Sequence, residues 1–366
     1  MHTQSKFRLL VVRLGAMGDI LHALPAVTAL RQAHPGWVID WVVEPRWRAL
    51  LSAKRDGASE AARLGASPDT LNPAQPVVNR IHLAPTREWR QAPLGRKTIH
   101  EVRDLRRTLR AGDYDAVIDL QGALRSAVIG RMAGCQRLIG EAEPRERVAR
   151  KLFTERVLTH GAHVIEQDVE LASAVAGDDL KPVTPWLPVD PAAEAWVDGI
   201  LPRDANEIAV LINPGAGWGA KRWPVERYAA VAQGLVDRGL RVLVNAGPGE
   251  ETLAETIVRG TGGAITPVSC NMQQLIALTR RVGLAIAGDT GPLHLACALG
   301  RPVVGIYGPT DPSRNGPFGT RFKVLRSPES RRDHKRRAAP EAGLLTISPE
   351  AVLQAADELL AGGNAE

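Results

Sequence analysis

Short apolar runs alternate with longer segments whose apolar residues recur at three- and four-residue spacing. "FRLLVVRLG" reads as a buried strand and "DILHALPAVTALRQAHP" as the helix that follows it. "VIDWVVE" and "YDAVIDLQG" read as further strands, the second preceded by the charged helix "KTIHEVRDLRRTLRAG". Strand–helix alternation with continuous apolar strands predicts an α/β protein whose sheets are parallel and covered on both faces.

The alternation stops at "KPVTPWLPVDPAAEAWVDGILPRDAN", residues 181–206, where prolines favour extended chain over ladder or helix. It then restarts with "EIAVLINPGAGWG", "PVERYAAVAQGLVDRG", "RVLVNAGPGE", "QLIALTRRV", "GLAIAGD", "PLHLACALG" and "PVVGIYGP", and closes with the helix "SPEAVLQAADELLAG". Two successive α/β domains are expected, over 1–183 and 184–348. A C-terminal helix within 349–366 is expected to pack back towards the first domain. The cleft between two such domains is the default place for a ligand. The charged stretch "SPESRRDHKRRAAPEAG", residues 327–343, has no period and reads as a solvated loop.

A chain of 366 residues exceeds one ordinary core, and 44% hydrophobic with 23% charged residues is globular composition. The net charge of +6 suits acidic partners: phosphates, sugar acids or an anionic membrane surface. Aromatics make up only 4%, and no finger spacing or aromatic-rich RNA-binding motif is present, so a nucleic-acid partner is not expected. Cys135, Cys270 and Cys297 lie far apart, forming neither a disulfide framework nor a zinc spacing. No apolar stretch is long enough to span a bilayer. The expected location is cytoplasmic, with access to a membrane from that side.

Three turns carry candidate chemistry. In "RLGAMGDILHALPA", residues 13–26, a glycine-bearing turn leads into a helix but ends in a carboxylate, Asp19, where a phosphate would be repelled. In "INPGAGWGAKRWP", residues 212–224, Gly215, Gly217 and Gly219 allow close backbone approach beside the cations Lys221 and Arg222. A lysine there can stabilise the negative charge that develops on a departing diphosphate. In "AIAGDTGPLHLACALGRPVVGIYGPTDP", residues 285–312, Asp289, Thr290 and Gly291 open a helix with Pro292 in its first turn. The amides of Thr290, Gly291 and Leu293, with the helix dipole, could hold a diphosphate, and the Thr290 hydroxyl adds a donor. The plainer readings stand beside these: Asp19 and Asp289 as helix caps, and the glycines as turn formers.

Taken together with "DWVVEPRW" and "YDAVIDLQGALRS", these turns resemble glycosyltransferase family 9, the bacterial heptosyltransferases of lipopolysaccharide inner-core synthesis. The motifs span most of the chain in the family's order. The opening segments look most like the subgroup that adds the first heptose to Kdo-lipid A. The "PGAGWGAKRWP" loop looks more like the second-heptose subgroup, which leaves the acceptor step open.

The resemblance implies a GT-B fold of two facing Rossmann-like domains, with ADP-heptose held mainly by the second. It implies inverting transfer to a hydroxyl of Kdo-lipid A or inner-core lipopolysaccharide, with no metal and no cofactor. Asp19 falls on the proposed general base and Lys221 on the phosphate-contacting lysine. Asp289 falls on the aspartate facing the donor sugar, Thr290 and Gly291 on the diphosphate turn, and His294 on the histidine after it. Glu250, in "GPGEET", sits near an acidic residue that contacts the donor ribose. Ala216 and Gly217 stand where the first-heptose subgroup has hydroxyl residues, so backbone amides would replace those side chains.

An acceptor rich in carboxylates and phosphates requires cations on the first domain. The candidates are Arg87, Arg90, Arg96, Lys97 and Arg125, with Arg145, Arg147 and Arg150 nearby. Gly18 would leave room for the acceptor sugar. His22 would either bond the acceptor or pack, and Trp47 and Trp89 would either pack or touch acyl chains at the membrane interface. Three other functions remain compatible with the sequence: a family 9 enzyme with another nucleotide sugar, a two-domain nucleotide-sugar epimerase, and a non-catalytic nucleotide-binding protein.

Overall fold

The computed structural model describes residues 6–53, 72–203, 207–332 and 337–362, so 333–336 of the charged loop lie outside the described residues. The chain divides into two compact units, Met1–Val189 and Asp190–Glu366.

The first unit runs β1 (Arg8–Val12), α1 (Met17–Ala33), β2 (Val38–Val43), β3 (Arg80–Leu83), α2 (Thr86–Gln91) and α3 (Arg96–Ala111), followed by β4 (Ala116–Asp119), α4 (Leu124–Met132), β5 (Leu138–Glu141), β6 (Glu155–Val157) and α5 (Val164–Ala176). Its strands form one parallel sheet in the order β3-β2-β1-β4-β5-β6. β4 is wholly buried and β1 nearly so, as central strands covered on both faces must be. α1 is apolar almost all round and packs along α5, which itself lies on β4, β5 and β6. α3 instead buries only a narrow stripe, Thr98, Leu105 and Leu109.

The second unit runs α6 (Pro191–Asp198), β7 (Ala209–Asn213), α7 (Val225–Val236), β8 (Arg241–Asn245), α8 (Glu251–Gly260), β9 (Thr266–Val268) and α9 (Met272–Arg281), followed by β10 (Leu284–Gly288), α10 (Gly291–Ala298), β11 (Val303–Tyr307), α11 (Pro312–Asn315), β12 (Phe322–Arg326) and α12 (Pro349–Ala361). Its sheet is also parallel, in the order β12-β11-β10-β7-β8-β9.

Two expectations about connections change. The proline-rich segment contains a helix, because Pro191 occupies the first turn of α6 and the Asp190 carboxylate accepts from Ala192 N at 2.9 Å. Ion pairs Arg280–Glu194 (2.5 Å) and Arg281–Asp198 (2.6 Å) tie α6 to α9, which makes it part of the second unit. The C-terminal helix α12 packs on α7, β11 and β12. It places Val352, Ala355, Ala356 and Leu359 in the second unit's own core. Among the described residues no helix is long and apolar enough to cross a membrane.

Candidate active site

In each sheet the strand order reverses beside the unit's first strand: β1 lies between β2 and β4, and β7 between β8 and β10. Loops leaving the carboxyl ends of such neighbours diverge, and the crevice they leave is where ligands bind in open α/β sheets. Asp19 follows β1, whereas Lys221 follows β7 and Asp289 follows β10.

Asp19 is the third residue of α1, and its Oδ2 accepts from the N-cap amide of Ala16 at 2.8 Å. It is therefore a helix cap, as the plainer reading held. It is also more than that. Arg13, buried at the end of β1, donates from Nε to the Asp19 carbonyl at 3.1 Å and brings Nη2 to 3.5 Å from Oδ1. The carboxylate is nevertheless 37% exposed, so its oxygens keep lone pairs open to a ligand.

Across the reversal point Gln121, after β4, accepts from Leu14 N and donates to Gly15 O, each at 3.0 Å. This pins the loop that carries Asp19. On its other side Trp47 covers Gly15: a Cβ there would lie 2.7 Å from the indole nitrogen. Gly18 lies beside Asp19 in the first turn of α1.

Two further carboxylates lie beneath Arg13. Asp119, ending β4, is fully buried and accepts from the amides of Gln121 (2.8 Å) and Gly122 (3.0 Å). Burial pushes it up to about 6, against the hydrogen bonds of Ser126 and those amides and the charge of Arg13. Asp168 on α5 is buried and pushed up to about 7 by burial. Arg13 draws it down, while Asp19, Glu141 and Asp119 push it further up. One guanidinium thus answers several acidic groups.

The other acceptor candidates scatter. His22 is buried on α1 with its ring edge-on to His163, centroids 5.6 Å apart, and so packs inward. Arg125 is exposed in the first turn of α4, at the same end of the sheet as Asp19. Arg87 and Arg90 on α2, and Arg96 and Lys97 at the start of α3, follow the edge strand β3. That strand is separated from β1 by β2. Lys97 is already paired with Glu88 at 3.1 Å and Glu101 at 3.7 Å. Trp89 donates to Glu101 Oε2 at 2.8 Å and packs against the core.

In the second unit Lys221, Asp289 and His294 meet at the β7/β10 reversal point. Lys221 Nζ forms an ion pair with Asp289 Oδ2 and lies 3.3 Å from its carbonyl oxygen. The ammonium also sits 4.3 Å from the centre of the Trp218 ring. His294 Nε2 is 3.2 Å from the other carboxylate oxygen, Oδ1. Burial alone would raise Asp289, but the hydrogen bond with His294 and the charge of Lys221 outweigh it, holding the carboxyl well below the usual range.

The glycines of the 213–219 turn divide by function. A Cβ on Gly215 would strike the Glu250 carboxylate, so this glycine lets Glu250 lie against the turn. A Cβ on Gly219 would strike the Ala338 carbonyl, because Ala220 exchanges backbone hydrogen bonds with Arg337 and Glu341 there. Gly217 alone of the three faces open space, next to buried Ala216.

At the mouth of α10 the Leu293 amide donates to Thr290 O at 3.1 Å, and the Thr290 hydroxyl donates to Gly288 O at 3.2 Å. The expected set of three amides is therefore reduced to Thr290 and Gly291. A cavity of about 570 Å³ lies between α8 and the ends of β8 and β9, lined by Ala246, Ala254, Val258, Pro267 and Val268 with Glu251, Glu255, Arg259 and Ser269. Among the described residues no group of three or more His, Cys, Asp or Glu is arranged to hold a metal ion.

The profile of glycosyltransferase family 9 (heptosyltransferase) matches residues 102–344, two thirds of the chain. This chain belongs to that family. Lipopolysaccharide heptosyltransferase 1 of Escherichia coli (strain K12) is 30% identical over 357 residues, covering 95% of this chain and 98% of the relative. Solved structures of E. coli heptosyltransferase WaaC with ADP and with ADP-2-deoxy-2-fluoro heptose match with TM-scores of 0.76 and 0.74. Their identities are 27% and 28%; each match covers 96% of this chain and, respectively, 100% and 99% of the other. The two parallel six-stranded sheets are thus the Rossmann-like domains of a GT-B fold, and the protein is a glycosyltransferase.

The motifs of this family 9 enzyme point to Asp19, Lys221, Asp289 and His294, but not to Arg13, Gln121, Asp119 or Asp168. Arg13 reads as a mere interruption of an apolar run. The clue is its place: an arginine kept at the last turn of a buried strand, six residues before a candidate base, needs a buried acceptor.

Proposed function

We propose that this glycosyltransferase moves a heptose from ADP-heptose to a hydroxyl of the Kdo-bearing inner core of lipopolysaccharide, with inversion, at an anionic membrane surface. The acceptor O–H gives its proton to the Asp19 carboxylate as its oxygen bonds to the heptose C1. The C1–O bond to the diphosphate breaks, and ADP leaves with the electron pair. Asp19 is a weak base for an alcohol in the ground state, so its contribution grows as the new bond makes the hydroxyl acidic. Arg13 fixes the orientation of that carboxylate, and the amide of Ala16 holds its second oxygen.

Lys221 answers the charge that builds on the leaving diphosphate, aided by the amides of Thr290 and Gly291 at the positive end of α10. Because Lys221 supplies that charge, the reading asks for no metal. Asp289 and His294 hold Lys221 ready and face the donor sugar. The cavity beside α8 suits the adenine ring, with Glu250 at the ribose.

The observation that carries the reading is the Lys221–Asp289–His294 cluster at the β7/β10 reversal point. It occurs in a chain 30% identical to lipopolysaccharide heptosyltransferase 1 across nearly its whole length. The test supplies the enzyme with ADP-heptose, UDP-glucose or GDP-mannose and a Kdo-bearing lipid A, with mass spectrometry of the product. A mass gain of one heptose from ADP-heptose alone is expected. Transfer from another donor only, or donor turnover without acceptor, would overturn the proposal.

A further inference from the structure

The largest share of this chain's net positive charge falls on one helical segment. Residues 86–111, which cover α2, α3 and the turn between them, carry eight of the 46 lysines and arginines and three of the 40 acids. That leaves 38 cations against 37 carboxylates over the rest of the chain. Other runs are basic too, residues 145–151 and 331–337 among them, but acids elsewhere offset them, and the α2–α3 segment carries an excess of five cations.

The structure aligns that charge. α3 buries Thr98, Leu105 and Leu109, and directly opposite this stripe, at helical spacing, lie Arg96, His100, Arg103, Arg107 and Arg110, all exposed. Sixteen residues of helix make this a ribbon about 24 Å long. Asp104 offsets one charge of the ribbon, held between His100 (3.0 Å) and Arg107 (2.9 Å), and Glu101 turns to Trp89 and Lys97, which leaves Arg96, Arg103 and Arg110 without an acid of α3.

At the start of the ribbon, in the α2–α3 turn, Leu94 is 87% exposed, and Ile99 in the first turn of α3 and Leu83 at the end of β3 are also exposed. α2 leaves the carboxyl end of β3, so this turn lies at the rim of the parallel sheet where the β1 loop carries Asp19.

We propose that the outer face of α3 and the α2–α3 turn dock the enzyme on an anionic phospholipid bilayer. The arginine ribbon lies over the headgroups, and Leu94 enters the interface. Each cation near an anionic leaflet is attracted within about 10 Å at moderate salt, and several in line act together. α3 does not insert, because its apolar stripe is already committed to the core. Docking is therefore mainly electrostatic and reversible. The proposal rests on the reading of the acceptor as a membrane-held lipid, since docking at this rim brings Asp19 to the surface that presents it. It also reassigns Arg96 from the acceptor to the bilayer.

The test is sedimentation of the full chain with vesicles of phosphatidylcholine alone or mixed with phosphatidylglycerol. The wild type is compared with Arg103→Glu/Arg107→Glu/Arg110→Glu and with Leu94→Asp. Wild type should bind the anionic vesicles at least about tenfold better than neutral ones and be released by about 1 M salt. The triple variant should lose that preference, and Leu94→Asp should weaken binding while keeping the salt response. Equal binding to neutral vesicles, or full binding by the triple variant, would overturn the proposal. So would binding that appears only when lipid A is added, because the ribbon would then be an acceptor subsite.

Transfer to a detergent-solubilised acceptor, measured on the same samples, reports on catalysis separately. It should stay at the wild-type level in the triple variant. A wild type that binds anionic vesicles but transfers nothing would count against the functional reading and not against the docking face.

Discussion

Arg13 grips Asp19 at two points, its Nε on the backbone carbonyl at 3.1 Å and its Nη2 at 3.5 Å from the carboxylate. A base on the first turn of a helix could rotate freely, and this contact removes that freedom. Replacing Arg13 by Gln keeps polarity but loses the fork, so transfer should fall at least about tenfold, as for loss of near-attack geometry. ADP affinity, which the proposed function assigns to the other unit, should not change. Stopped-assay kinetics beside calorimetric ADP titration check this. An Arg13→Gln enzyme with a normal kcat would remove Arg13 from the account.

Asp168 makes stability depend on pH in an unusual direction. Its carboxyl is held near 7 in the folded protein by burial and its acidic neighbours, whereas an unfolded chain ionises it near 4. Between those values the unfolded state binds fewer protons, so Asp168 makes the fold less stable as pH rises from about 4 to about 7. Asp168→Asn should remove this slope and raise stability at pH 8, by up to about 4 kcal/mol. Urea unfolding at a series of pH values reads it. An unchanged slope would contradict the burial of an ionisable group there.

Lys221 and Asp289 stand or fall together. Asp289→Asn leaves a buried ammonium without its counter-ion and should cost about 3 kcal/mol, with Lys221→Met costing a similar amount. The double variant should recover much of the loss, since the pair cancels its own desolvation. Thermal unfolding of the four proteins gives the coupling. Additive losses would mean the two groups do not interact.

Gly217 and Gly219 look alike in sequence and should behave oppositely. Gly219→Ala drives a methyl into the Ala338 carbonyl and should destabilise the second unit by about 1–3 kcal/mol. Gly217→Ala meets no atom and should fold normally, within about 0.5 kcal/mol, while ADP binding weakens. Normal ADP affinity in Gly217→Ala would place the diphosphate elsewhere.

The central strands β1, β2, β4, β7, β8, β10 and β11 are legible in the sequence because burial on both faces forces continuous apolar runs. The strands β3, β5, β6, β9 and β12 lie towards the sheet edges and are three to five residues long. β12, with its exposed Phe322 and Lys323, shows no period at all. In β3, β6, β9 and β12 solvent exposure breaks the apolar run, whereas β5 is buried but only four residues long and interrupted by Gly140.

The site follows the same division. Asp19, Lys221 and Asp289 stand in glycine turns that a reader of motifs will find. Gln121 and Asp168 act across more than 100 residues of chain, joined only by the sheet order, and no local spacing announces them. The glycine turn at 213–219 shows the converse. The motif reads equally as room for a ligand or as a turn, and the structure divides it: Gly215 and Gly219 serve the chain's own packing, and Gly217 faces open space.

The central claim is that Asp19 takes the acceptor's proton. Asp19→Asn is nearly isosteric and its amide oxygen can still accept from Ala16 N, so the α1 cap should survive. The decisive measurement is heptose transfer from ADP-heptose to a Kdo-bearing lipid A by wild type and Asp19→Asn, with ADP affinity measured in parallel. Loss of transfer by about 100-fold or more, with ADP affinity unchanged, is the predicted result. An Asp19→Asn enzyme that transfers at the wild-type rate would contradict the account and leave Asp19 as a helix cap only.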